Sequence, residues 1–158
     1  MRRMVGLKRH GRQDGFSLIE VLIALAILAV GLLGVALMQT LNLRYTRAAD
    51  QRSKAVNLAN ELTDIVRANR REMGAYTAIT TGSFSGVSAL SGCAVTANVA
   101  AADNIPRWRC EVREQLGEEA TAQVTIPSAG ELQVQVNWDE LAGGSAVEAR
   151  SVTLRTRL

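Results

Sequence analysis

The residues with chemistry to offer in this 158-residue chain are few: two carboxylate pairs, two cysteines, one histidine and one glutamate set at the start of an apolar run. Glu118-Glu119 and Asp139-Glu140 are adjacent carboxylates, the residue type that general acid–base catalysis uses. Adjacency works against that role, because such pairs mark solvated turns and neighbours in a strand point to opposite faces. Cys93 and Cys110 have no CxxC spacing and no companion histidines, so a zinc site is not indicated and no cofactor is implied. His10, the only histidine, lies in a short basic segment. A chain that loses that segment has no imidazole left for base catalysis or metal binding. Catalysis is therefore not expected, and Glu20 becomes the residue to explain.

Glu20 belongs to FSLIEVLIALAILAVGLLGVALM, residues 16–38, in which Val21 to Met38 is an 18-residue stretch without a charge. That approaches the roughly 20 residues that cross a ~30 Å hydrocarbon core. The run has no polar stripe of the kind a helix buried in a soluble domain shows, so it is read as a membrane span. Positive residues before the run and fewer after it place the N-terminus in the cytoplasm and the remainder across the membrane. Ala36-Leu37-Met38-Gln39 is a poor secretory cleavage site, which predicts that the run is kept. A carboxylate on such a segment costs about 2.5–3.5 kcal/mol on insertion scales. Two readings of Glu20 follow from the residues alone: it snorkels to the headgroups, or it is held for a partner.

Charge divides unevenly. Residues 1–14 carry Arg2, Arg3, Lys8, Arg9 and Arg12 against Asp14, a net +4, which leaves −1 for the rest of a chain whose total is +3. Without its first segment the protein is nearly neutral and has no basic excess to draw nucleic acid.

The stretch Gly15-Phe16-Ser17-Leu18-Ile19-Glu20, after a basic leader and at the head of an uninterrupted apolar helix, resembles the type III signal of type IV prepilins and pseudopilins. The resemblance implies a leader, residues 1–15, that a prepilin peptidase removes between Gly15 and Phe16 on the cytoplasmic face. It also implies N-methylation of Phe16, and an assembly ion pair between Glu20 and the cationic amine of Phe16 on a neighbouring subunit. One member of such a pair without the other would be a buried, uncompensated charge. Gly31-Leu32-Leu33-Gly34, Gln39, Gln51-Arg52-Ser53 and Val66-Arg67-Ala68-Asn69-Arg70 are similar to the PilV group of minor pilins, and the likeness runs from residue 15 to about residue 70. Two features depart from major pilins: residues 22–38 contain no proline, and no cysteine follows Cys110.

The elements that must present this N-terminus can be read in outline. Gln39 to Met73 has no proline or glycine, and Ala48, Ala55, Ala59, Leu62 and Val66 recur at helical spacing, widened by Val56, Leu58 and Ile65 and interrupted by Arg52. A helix ending at Gly74 follows, with Arg67, Arg70 and Arg71 at the favourable end of its dipole. Thr77 to Ser91 reads as an irregular connection facing solvent or neighbouring subunits. Pro106 opens a short helix ending before Gly117, with Trp108, Val112 and Leu116 on one face and Cys110 pointing away from it. On the periplasmic side a Cys93–Cys110 disulfide is allowed and would tie that helix to the preceding loop; two buried thiols are the alternative. Ala122 to Ile126 is a strand, Leu132, Val134, Val136 and Trp138 alternate with polar residues, Leu141 to Ala146 forms a turn, and Val152, Leu154 and Leu158 alternate again.

The expected architecture is α+β and type IV pilin-like. A leader (1–15) precedes a transmembrane assembly helix (16–38) and its periplasmic continuation (39–73). The second half of the helix packs on a small antiparallel sheet in a head (74–158). The function implied by the resemblance is that of a minor pilin, PilV-like, in or priming a type IV pilus. Its partners would be the prepilin peptidase, other major and minor pilins and the assembly platform of the inner membrane. Such a chain sits single-pass in the inner membrane with its head in the periplasm, then in the pilus. Two other readings stay open: a pseudopilin of a type II secretion system, and a membrane-tethered adhesin that never polymerises.

Overall fold

Fifty-one consecutive residues without a proline, rich in leucine and alanine, form the first element, α1 (Leu18–Ala68), in the computed structural model, which describes residues 15–90, 92–94, 100–141 and 147–158. The chain divides after Leu43 into two compact units. In the first, α1 is apolar on every side. Its backbone groups bond within the helix, so apolar side chains need no polar stripe to accompany them.

In the second unit, α1 turns one face to a core. Ala55, Leu58, Ala59, Leu62, Thr63 and Val66 are buried at the spacing of a single helical stripe. Two members differ from the sequence expectation. Val56 is 37% exposed and lies off the stripe, whereas Thr63 joins it. Periodicity counted only apolar types and missed Thr63, which satisfies its hydroxyl by donating to the Ala59 carbonyl at 2.9 Å and presents its methyl to the core.

The helix stops five residues earlier than Gly74 suggests. Asn69 leaves the helical region (φ −132°, ψ 65°), and a 3₁₀ helix, Arg70–Ala78, carries the chain through Gly74 without interruption. A second, Thr81–Phe84, follows. Within Thr77 to Ser91, expected to be irregular and outward-facing, Ile79 and Phe84 are fully buried in the core, as is Tyr76 just before it. Three large side chains separated by small polar residues have neither the helical nor the strand period, and that hid their burial.

The second helix, α2 (Ala101–Leu116), begins five residues before Pro106, which sits inside it. Its N-cap residue, Ala100, has no side chain able to cap by a hydrogen bond. Glu72 replaces it from the 3₁₀ segment, its carboxylate accepting from the Ala101 N–H at 2.6 Å, where the helix dipole favours negative charge. On one face Asn104, Trp108, Val112 and Leu116 are buried, and the Trp108 indole donates to the Leu58 carbonyl of α1 at 3.0 Å. On the opposite face Cys110 joins Cys93 in a disulfide with a Cα–Cα distance of 5.5 Å, beside Ala94, Asp103, Pro106 and Arg107. Gly117, at φ 108°, ends the helix in a conformation that a side chain resists.

Three antiparallel strands complete the core: β1 (Thr121–Thr125), β2 (Glu131–Leu141) and β3 (Val147–Arg157), in that order across the sheet. Alternation sends Ala122, Val124, Leu132, Val134, Val136 and Trp138 inward, while Val152 and Leu154 on β3 are only half-buried. The expected turn at Leu141 to Ala146 lies, after Leu141, outside the described residues. Long helix plus small antiparallel sheet makes this an α+β chain consistent with the pilin-like architecture.

Leu62 is fully buried at the centre of the stripe. Leu62→Ala is expected to destabilise the second unit by about 2–5 kcal/mol, read from denaturant unfolding of the detergent-solubilised chain through Trp108 and Trp138. The pair Cys93→Ser and Cys110→Ser is expected to remove about 3 kcal/mol in the same experiment, the value for a cross-linked loop of this length; an unchanged midpoint would refute the linkage.

Candidate functional site

The site suggested by sequence is the start of α1. Gly15, Phe16 and Ser17 precede the helix, and the Ser17 carbonyl accepts from the amides of Glu20 (3.0 Å) and Val21 (3.3 Å) to close its first turn. Gly15 is exposed, and nothing among the described residues lies within 4 Å of where a Cβ would stand. Residues 1–14 of the expected leader lie outside the described residues.

Phe16, 83% exposed, and Glu20 are one turn apart. Together with Val21, Ala24, Leu25 and Leu28 they line one shallow apolar concavity on the helix. Glu20 makes no ion pair among the described residues, but it occupies the first turn of α1, where the positive end of the dipole favours a carboxylate. Neither sequence reading of Glu20 took that support into account, although the residue's place after Ser17 was sufficient to show it.

Every described residue from 15 to 47 is exposed. Gly31 and Gly34 have open space where a side chain would stand, so no packing within this chain requires them to be glycine. A glycine inside a helix costs about 1 kcal/mol relative to alanine. The helix is long and apolar enough to cross a membrane, with none of its most apolar window buried.

Residues 10–36 match the family model described as the prokaryotic N-terminal methylation motif. The match supports the type IV pilin-like class, pilins and pseudopilins together. It covers Gly15, Phe16, Glu20 and both helix glycines, and well under half of the chain. It implies processing by a prepilin peptidase, and with the apolar helix it fits a single-pass anchor. Neither the curated proteins nor the solved structures compared with the chain gave a match.

A second polar cluster lies in the head. Arg107 of α2 bonds Glu61 of α1 at 3.1 Å and Glu111 one turn along its own helix. Burial pulls the Arg107 guanidinium down, and the hydrogen bonds and charges of the two glutamates more than offset it, so its pKa stays above the ordinary value. Glu111 is raised, first by burial and then by the neighbouring Glu61 charge, with Arg107 opposing both. Its Oε2 has no partner among the described residues. The cluster joins α1 to α2. Nor do the sequence's carboxylate pairs converge: Glu118 and Glu119 are exposed in the turn after α2, and Asp139 and Glu140 stand on opposite faces of β2, Glu140 paired with Arg150 at 3.0 Å.

The Glu111 shift fixes a pH dependence. With its folded pKa raised, folded Glu111 keeps a proton that the unfolded chain releases near 4.5. The stability due to that proton is present below 4.5 and is lost as pH rises from there through the raised value. Glu111→Gln, which still accepts from Arg107 but cannot ionise, is expected to lack that decline. Denaturant midpoints measured across the acidic and neutral range check it, and parallel profiles for the two proteins would overturn it.

Proposed function

We propose that this chain is a minor pilin of the PilV kind, cut after Gly15, methylated on Phe16, held in the inner membrane by the first half of α1, and passed into a type IV pilus or its initiating complex. The observation that carries the reading is the methylation motif lying on the first half of α1, whose apolar residues there are all exposed among the described residues. A helix exposed on all sides needs lipid first and like helices afterwards, and the same surface serves both. The preference for a pilus over a secretion pseudopilus rests on the Gly31 to Gly34 and Val66 to Arg70 blocks of the sequence. The chain acts by assembly rather than catalysis, with its N-terminus cytoplasmic until extraction and its head periplasmic.

Glu20 carries the register. When the helix leaves lipid, its carboxylate meets the methylated amine of Phe16 on an adjoining subunit, where screening is weak. Breaking one side of such a pair costs about 3–5 kcal/mol.

Intact mass and N-terminal sequence of the protein from inner membrane and from sheared filaments, with and without the peptidase, test the reading. A chain that begins at methylated Phe16 in both fractions, and only when the peptidase is present, is the expected result. An uncut chain, or a cut chain confined to the membrane fraction, would return the tethered binding protein. Copurification with a secretion pseudopilus rather than a pilus would return the pseudopilin. Glu20→Val is expected to be inserted and cut normally while its share in filaments falls at least about a hundredfold, the equivalent of the lost pair.

A further inference from the structure

The two edges of the sheet are treated differently. The outer edge of β1 is partly occupied: the Val124 amide donates to the carbonyl of Ile79, between the two 3₁₀ helices, at 2.9 Å. The outer edge of β3 is open. Register and one bond fix which groups it presents. Leu158 donates to the Gly130 carbonyl at 2.8 Å, and the ladder then pairs Thr156 with Leu132, Leu154 with Val134 and Val152 with Val136. In an antiparallel ladder the directly opposed pairs alternate between bonded and non-bonded. The bonded set is therefore the even-numbered residues of β3. The amides and carbonyls of Ala149, Ser151, Thr153, Arg155 and Arg157 point away from β2, and no backbone partner meets them among the described residues.

An open edge of this length is a template for another strand. The side chains around it state which kind. On the inner face Val152 and Leu154 are half-buried, and their free sides extend the core past the last strand. On the outer face Thr153, Arg155 and Arg157 are exposed. Arg150 is neutralised by Glu140 (3.0 Å) and Glu148 (2.7 Å), but Arg155 and Arg157 form no ion pair among the described residues. Arg157 stands across the ladder from Glu131, whose carboxylate accepts from Ser128 instead. A second copy of β3 fits badly. The strand holds three arginines and one glutamate, and pairing two of them would set like charges together.

We propose that the free edge of β3 receives an extended segment of a partner protein in which apolar and acidic side chains alternate. The apolar set covers Val152 and Leu154, and the acidic set faces Arg155 and Arg157. Main-chain bonds to Thr153 and its outward neighbours hold the segment in register, the mode in which a strand is added to a sheet. This inference does not depend on the pilus reading, since it needs only the head.

Fluorescence anisotropy of a labelled peptide alternating valine and glutamate, titrated with the full chain in detergent, tests it. A valine–lysine peptide of equal length is the control. Thr153→Pro removes an outward amide without touching the β2–β3 ladder, and proline is tolerated on an edge. Arg155→Glu reverses one charge of the pair. Unfolding midpoints through Trp108 and Trp138 confirm that both variants fold. Saturable binding of the acidic peptide, weakened at least about tenfold by either variant and by exchange of glutamate for lysine, is expected. Equal binding of the two peptides, or binding that survives Thr153→Pro, would overturn the proposal. So would self-association of the chain abolished by Thr153→Pro, which would assign the edge to a second copy.

Discussion

Backbone satisfaction within α1 is the constraint on which everything else rests. Because every amide between the helix ends bonds four residues back, the side chains are free to be apolar without regard to direction, and over residues 21–38 they are. Past Leu43 the same helix must live in water, and there the apolar residues contract to one stripe from Ala55 to Val66. The change from an all-round to a one-sided pattern is what turns a single helix into two kinds of structure.

The head is built to cover that stripe with little chain. Two helices and three strands do it with the help of the link between α1 and α2, which also supplies core residues. Tyr76, Ile79 and Phe84 fill the core from the 3₁₀ helices and the link between them, Glu72 caps α2, and Ile79 bonds to the β1 edge. The disulfide fixes the far side of α2, where Cys110 also lies 3.9 Å from the Ser88 carbonyl and Arg113 reaches the Val87 carbonyl. Two polar side chains inside this arrangement are paired across elements: Trp108 to Leu58 and Arg107 to Glu61. Each ties α2 to α1 more specifically than apolar contact would, since misplacing it would leave a buried donor or charge unmet.

What was legible in the sequence follows from this division. The stripe from Ala55 to Val66 and the alternation in β2 express periods of 3.6 and 2, which local order reveals, and the apolar run shows in its unbroken length. The end of α1 was misplaced because Gly74 is the conspicuous breaker, whereas Asn69 is the residue that departs from helical geometry. The start of α2 was missed because its cap comes from Glu72, far back in the chain, and no local rule registers a distant carboxylate. Thr63 and the 3₁₀ plug were missed for a related reason: their burial is decided by what packs against them. The motif at the start of α1, which the family model also matches, could be read because it is local, a few consecutive residues that do not depend on the head.

For the proposed assembly, the energetics differ from those of the head. Moving an apolar helix from lipid into a bundle of like helices yields no hydrophobic gain, because the hydrocarbon it leaves is as apolar as leucine. Selectivity must come from close packing and from the few polar atoms present. Along the described part of the span those are the Glu20 carboxylate and the backbone laid bare at Gly31 and Gly34, where open space replaces a side chain. In that proposal Phe16 would supply the complementary cation only after the leader is gone, so cleavage would create the partner that Glu20 lacks among the described residues. A carboxylate that is merely tolerated at the start of the helix in lipid then becomes, among processed subunits, the strongest reason to adopt one register over its neighbours.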